Sequence, residues 1–222
     1  MELIEAVTNR KTCRGFKTDP VPRDILRGIM NDSLRAPSWG NTQPWEFAIA
    51  TGGVLDSIKQ GFADKAADAP APDIPFPGKF PDSYLARLPN RPRPPADRSD
   101  VDIRTERQLN SAQLYKTPCI IYIYTEREMW EQDNYKNAYA VFDCGLIAEN
   151  IMLLAVEKGL GTVAAAQSVR CPEVLREKLG IPETKAIVLG IIIGYPDTEH
   201  PQFNVYSSRE PLDKVATWHG FE

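Results

Sequence analysis

A chain of 222 residues is long enough for one sizeable core and short for two, and its 42% hydrophobic and 25% charged residues are ordinary globular usage. The formal net charge of -4 argues against a nucleic-acid backbone as partner, so clustered basic residues read here as local anion sites. Four cysteines (Cys13, Cys119, Cys144, Cys171) form no Cys-x-x-Cys pair, and His200 and His219 have no partner at ligand spacing, which argues against a metal centre.

In chain order, Leu3, Ile4, Ala6 and Val7 make a short helical pattern, followed by the cationic run Arg10-Lys11-Thr12-Cys13-Arg14. Guanidinium forks match a phosphate dianion and Thr12 adds a hydroxyl, although a solvated charge run has the same composition. Pro22 opens a helix with Ile25, Leu26, Ile29, Met30 and Leu34 on one face. That helix leads into Arg35-Ala-Pro-Ser-Trp-Gly-Asn-Thr-Gln-Pro-Trp45, where Pro37 and Pro44 stiffen a stretch bearing Ser38, Asn41 and Gln43. A hydroxyl and two amides on a rigid turn suit the polar edge of a flat heterocycle, and they also suit an ordinary self-bonded loop.

Phe47 to Ala50 reads as a short buried strand, and Val54 to Phe62 as a helix. From about 66 to 98 nine prolines exclude core structure, so this stretch is either a partly ordered excursion or lid, anchored by Phe76, Phe80, Tyr84 and Leu88, or simple disorder. Val101 to Tyr115 is expected to be helical, and Cys119 to Tyr124 is the clearest strand. Ala138 to Glu157 is a helix apolar on most of its surface, which belongs in a core or a large subunit interface. Thr162 to Ala165 and Ala186 to Ile193 are further strands, and between them Pro172 opens a helix that Gly180 closes. Strands separated by helices with few hairpin signals argue for a mixed α/β or α+β sheet flanked by helices. Neither a leader peptide nor an uninterrupted apolar run of membrane-span length is found, so a cytoplasmic setting with no membrane is expected.

Arg10-Lys11-Thr12-Cys13-Arg14-Gly-Phe16, Asp19-Pro-Val-Pro22 and Ala36-Pro-Ser-Trp-Gly-Asn-Thr-Gln-Pro-Trp45 together resemble, in order and spacing, the opening of FMN-dependent nitroreductases. Gly159-Leu-Gly-Thr162, Gly194-Tyr-Pro-Asp197 and Ser207-Ser-Arg-Glu-Pro-Leu212 are similar to later landmarks of that family. The resemblance implies a single domain over 1–222, an α+β sandwich with a mainly antiparallel central sheet flanked by helices. It also implies an intertwined homodimer with FMN at the subunit interface, the helix from Ala138 to Glu157 packed across the dimer, and a C-terminal arm from about 196 laid over the partner.

By the same resemblance Arg10, Thr12, Arg14 and Arg209 clamp the FMN phosphate, and Lys11 meets the flavin through its backbone. Ser207 stands where the family usually has a basic residue. Pro37, Ser38, Asn41 and Gln43 would meet the isoalloxazine, partly from the opposite subunit. Asn110 matches a position that bonds the pyrimidine edge, or is a solvent-facing helix residue. Ala164, Ala165 and Ala166 are small enough for a backbone to approach a planar ring, with Ala166 first and Ala165 next as N–H donor to flavin N5.

No Ser/His/Asp arrangement or paired carboxylate suggests side-chain acid–base work, so the cofactor is expected to do the chemistry. The expected activity is ping-pong, two-electron reduction of a nitroaromatic, quinone or similar small acceptor by NADH or NADPH, without a catalytic side chain. The alternatives are a non-catalytic FMN storage or redox-sensing protein, and a same-fold flavoenzyme performing reductive dehalogenation or flavin fragmentation. Trp39, Phe76, Phe80, Tyr84 and Trp130 are candidates for an aromatic substrate site or for plain packing.

Overall fold

β-branched and aromatic residues run together where the strands form. The computed structural model describes residues 1–85, 87, 112–132, 135–201, 203–204 and 206–221. Its strands in chain order are β1 (Glu46–Thr51), β2 (Cys119–Glu126), the two-residue β3 (Glu131–Gln132) and β4 (Tyr135–Lys136), β5 (Gly161–Ala165) and β6 (Lys185–Gly194). The main sheet has the order β1-β2-β6-β5 with every neighbouring pair antiparallel, while β3 and β4 form a separate ribbon.

β2 and β6 are central and buried on both faces, so their sequences read as near-continuous apolar runs rather than alternating ones. The helices are α1 (Leu3–Asn9), α2 (Arg23–Ser33), α3 (Gly52–Asp64), the single turns α4 (Asp82–Leu85) and α5 (Arg127–Trp130), α6 (Ala138–Glu157) and α7 (Pro172–Leu179), and of these α2, α3, α6 and α7 cover the two central strands. On one face Ile121, Ile123, Ile191 and Ile193 pack with Ile29 of α2 and Ile147 and Ile151 of α6. On the other, Ile120, Tyr122, Ile187 and Ile192 pack with Leu55, Ile58 and Phe62 of α3 and Leu175 of α7. The result is the expected α+β sandwich.

Ile187 and Ile191 would share a face on a regular strand, yet they face opposite layers. The register explains this: Ile123 pairs with Leu189 and Tyr124 with Ile187, so Val188 is the extra residue of a bulge. α7 begins with Pro172 at its first turn and ends at Gly180, whose φ of 67° is the left-handed cap that glycine adopts without a Cβ penalty.

The helix expected over Val101 to Tyr115 falls mostly outside the described residues, and its end is not α-helical. Leu114, Tyr115 and Lys116 have φ of 47°, 54° and 57°, a left-handed turn. Pro118 restricts Thr117 to extended backbone (ψ 148°), so a right-handed helix does not run on into β2. Leu34, expected on the apolar face of α2, instead caps that helix and is exposed.

The described start of the Pro-rich stretch, 66–80, has no regular element but is tied down. Buried Arg170 donates to Ala66 O at 3.3 Å and Asp68 O at 2.6 Å, and accepts the Ala71 N–H at 3.0 Å. Asp73 accepts from Arg127 Nη2 at 2.9 Å, from Arg176 Nη2 at 2.8 Å and from the Ile187 N–H at 2.8 Å. Phe76 packs against the core beside these bonds, while Phe80 and Tyr84 are exposed.

α6 is long and apolar enough, by length and composition alone, to cross a membrane, although Asp143 and Glu149 interrupt its apolar run. It nevertheless buries Asp143, Cys144, Ile147, Ile151 and Ala155 against the sheet layer. All four cysteines are buried, and burial pushes the thiols of Cys119 and Cys144 up to about 12.

Candidate functional site

The cationic run lies on the edge strand of the sheet. Thr12 bridges Thr162 of β5 in parallel fashion, and Cys13 donates its N–H to Thr162 O at 2.9 Å. Gly161 makes this approach possible, because a Cβ there would lie 2.7 Å from Cys13 Sγ. Beyond it, Lys17 donates to Tyr195 O at 2.9 Å, so the N-terminal segment is held along β5 and past the end of β6.

Arg10, Lys11, Thr12 and Arg14 are all half-buried. Arg10 Nε pairs with Glu149 Oε1 of α6 at 3.2 Å. Lys11 Nζ sits 3.7 Å from the centre of the Phe203 ring and donates to Tyr206 Oη at 3.1 Å, which brings the chain just before Ser207 beside the cationic run. Arg14 makes no ion pair or side-chain hydrogen bond with another described residue. A half-buried guanidinium of that kind, beside the Thr12 hydroxyl, is the chemistry of an anion site.

At the far end of β5 the side chains alternate: Val163 and Ala165 face the core, while Ala164 and Ala166 are exposed. Ala166 begins the tight turn Ala166–Val169, and an N–H at that position has no partner inside its own turn. Ser168 shapes this corner by donating its hydroxyl to Ala165 O at 2.6 Å. It fits only because Gly190 lies opposite, where a Cβ would be 2.1 Å from Ser168 Oγ. Neither Ser168 nor Gly190 stands out in the sequence, since each acquires its role from cross-strand neighbours.

The 38–43 stretch forms a tight loop. Gly40, Asn41 and Gln43 have φ of 56°, 58° and 48°, and the left-handed region costs a non-glycine residue about 1–2 kcal/mol. Ser38 Oγ accepts the Gln43 N–H at 2.9 Å, closing the loop, and Gln43 Nε2 donates to Asn41 O at 3.3 Å. The Ser38 lone pair is thus engaged within the loop while its O–H remains a donor, and the Asn41 amide points from an exposed position. Pro37 is exposed beside them.

Other expected residues lie elsewhere. Arg209 Nη1 turns back onto Ser207 O at 3.0 Å and Ser208 O at 3.1 Å, and borders a cavity of about 570 Å³ with Arg87, Glu210 and Val215. Asn110 lies outside the described residues. A second cavity of about 380 Å³, bordered by Thr18, Thr51, Lys59 and Pro118, contains none of the expected residues. The five candidate aromatics do not gather: Trp39 is exposed and its ring neighbour is Tyr139, with centroids 6.4 Å apart.

The model of the family described as "Nitroreductase family" matches residues 7–195. A 4-nitrobenzoate reductase of Nocardioides sp. (strain LMS-CY) is 27% identical over 230 residues, covering 98% of this chain and 90% of that protein. A nitrobenzene nitroreductase of Ectopseudomonas oleovorans is 27% identical over 225 residues, covering 96% of this chain and 95% of its own length. Among solved structures, an FMN and NADPH-dependent nitroreductase, NfnB, from Sphigopyxis sp. strain HMH superposes with a TM-score of 0.84 at 24% identity, covering 100% of both chains.

Proposed function

The chain belongs to the nitroreductase family, and on that premise we propose that it is an FMN-dependent NAD(P)H oxidoreductase reducing nitroaromatics, quinones or similar small acceptors in two-electron, ping-pong turnover. The observation that carries this reading is one continuous edge: the half-buried cations of residues 10–14 are bonded onto the start of β5, and its end exposes Ala164 and Ala166. Phosphate chemistry at one end and a flat, small-residue surface at the other fit FMN better than any single-headed ligand.

When bound, FMN supplies a ring that takes a hydride at N5 from the nicotinamide and passes it to the acceptor. The residues do the rest. Arg10, Thr12 and Arg14 hold the phosphate, with Lys11 alongside and Ser207 and Arg209 delivered by the C-terminal arm. The Ala166 N–H, or that of Ala165, meets the ring at N5. Pro37, Ser38, Asn41 and Gln43 read the isoalloxazine from a second copy of the chain, and Asn110 reads the pyrimidine edge.

Support for a homodimer comes from apolar side chains left open in one chain. Leu3 and Ile4 of α1 are 73% and 67% exposed, Tyr139 and Phe142 of α6 are each 59% exposed, and Trp218 and Phe221 of the arm are 61% and 77% exposed. A second copy is the occupant that would cover all three elements at once. A cytoplasmic enzyme of this kind fits the buried thiols.

Steady-state oxidation of NADH and NADPH by the FMN-loaded protein, with nitrobenzene, 4-nitrobenzoate and a quinone as acceptors, tests the proposal. Acceptor-dependent oxidation of at least one nicotinamide is expected. Bound FMN without turnover would instead make the chain a flavin store or sensor, and no FMN binding would overturn the reading altogether.

A further inference from the structure

The 38–43 loop does not hold its left-handed backbone by internal bonds alone. The Trp39 N–H is donated to Asp143 Oδ2 at 3.0 Å, across 104 positions of sequence. Asp143 is 2% exposed, in the second turn of α6, among the buried Ala140, Cys144 and Ile147. A carboxylate in such company is costly unless it is bonded. It is not serving the helix terminus, because Asn137 Oδ1 already accepts the Tyr139 N–H there.

One turn before Asp143, Tyr139 holds the Trp39 ring, so a single face of α6 grips both the backbone and the side chain of Trp39. Ser38 and Gln43 close the loop on itself, and Asp143 is the bond that fixes the closed loop to the core.

We propose that Asp143 is a positioning residue that sets the 38–43 loop at the angle from which it reads the isoalloxazine edge. The inference rests on the FMN reading above. Asp143 touches no ligand itself; it acts through the Trp39 N–H. An acceptor at this place is what matters more than a charge, so asparagine is expected to serve in its stead.

The test is FMN titration of the purified dimer, read as Kd and as the visible absorption of the bound flavin, with apoprotein Tm in parallel. Asp143→Ala is expected to weaken FMN about tenfold and shift the bound-flavin spectrum, as loss of one positioning hydrogen bond does. Asp143→Asn is expected to stay within about threefold of wild type, with its spectrum. Trp39→Pro deletes the donor at a first-turn position that tolerates proline, and Trp39→Ala controls for the ring. The Asp143→Ala deficit is expected in the Trp39→Ala background and not in the Trp39→Pro background.

Wild-type affinity and spectrum in Asp143→Ala would overturn the proposal, as would an equal deficit in both backgrounds. Should Asp143→Ala fail to fold, Trp39→Pro must still bind FMN more weakly than Trp39→Ala, and equality of the two would overturn it. Wild-type protein that binds no FMN would fail the FMN reading itself and this proposal with it.

Discussion

Asp73→Ala is expected to cost the fold about 3 kcal/mol, because it takes a shared acceptor from two guanidiniums and the Ile187 N–H at once, leaving Arg176 with Glu183 at 3.1 Å and Arg127 with Glu131 at 3.7 Å. Asp73 and Arg176 side chains are each 9% exposed, and Arg127 is 29% exposed. The carboxylate binds both and also accepts the Ile187 N–H beside the bulge of β6. Its removal unties the described start of the Pro-rich stretch from α5, α7 and β6 together. In a chain of this size the loss corresponds to a Tm lower by roughly 10 °C. Calorimetry of the apoprotein measures it, and a change under about 1 kcal/mol would contradict the account.

This cluster has a pH signature. Burial alone would raise the Asp73 carboxyl, but the Ile187 N–H and the two guanidiniums outweigh it and hold it below the ordinary value of 3.8. A depressed carboxylate contributes its stability above the unfolded value and loses it as pH falls through the folded one. The stability gap between wild type and Asp73→Ala is therefore expected to be constant near neutrality and to close below about pH 4.

The second large effect concerns the cofactor. Arg14→Ala is expected to weaken FMN by about 10- to 100-fold, and Arg10→Ala with Arg14→Ala by on the order of 100-fold or more, at roughly 1.5–3 kcal/mol per charge-assisted bond. Arg14 has no partner among the described residues, so the single variant should leave the apoprotein Tm unchanged. Arg10 differs, since Glu149 already pairs with it and that bond must be shared with or yielded to phosphate. Fluorescence titration of FMN at low and moderate salt reads both effects. Unaltered Kd in the double variant would remove the 10–14 run from the site.

The strands and α6 were legible because their signals are local: β-branched runs for β2 and β6, and an apolar stretch for α6 whose limits, Ala138 and Glu157, the structure reproduces. Pro172 and Gly180 marked α7 for equally local reasons, a fixed φ and a left-handed cap. The cationic run and the loop at 38–43 were legible as residue types, and the structure adds their geometry.

Asp143 was hidden by its own helix, where one acidic residue in an apolar pattern has the look of an ordinary solvent-facing position. Among the described residues, the distant Trp39 N–H is the partner that explains its burial. Asp73 was hidden by prolines, which announce irregular backbone but not the arginines that wait for a carboxylate there. Gly190 and Ser168 need each other across β6 and the turn after β5, a relation that no single stretch of sequence displays. Arg209 was legible as a cation but not in direction, since its own neighbouring carbonyls take its donors in a single chain.

The proposed site is one cradle, with a phosphate held by residues 10–14 and a ring laid along the end of β5. Paired titrations of the wild-type apoprotein with FMN and with riboflavin, which share the ring and differ in the phosphate, address it most directly. The cradle predicts that FMN binds at one per chain and at least about 100-fold more tightly than riboflavin, the equivalent of about 2.7 kcal/mol. Equal affinity for the two, or binding of neither, would contradict it.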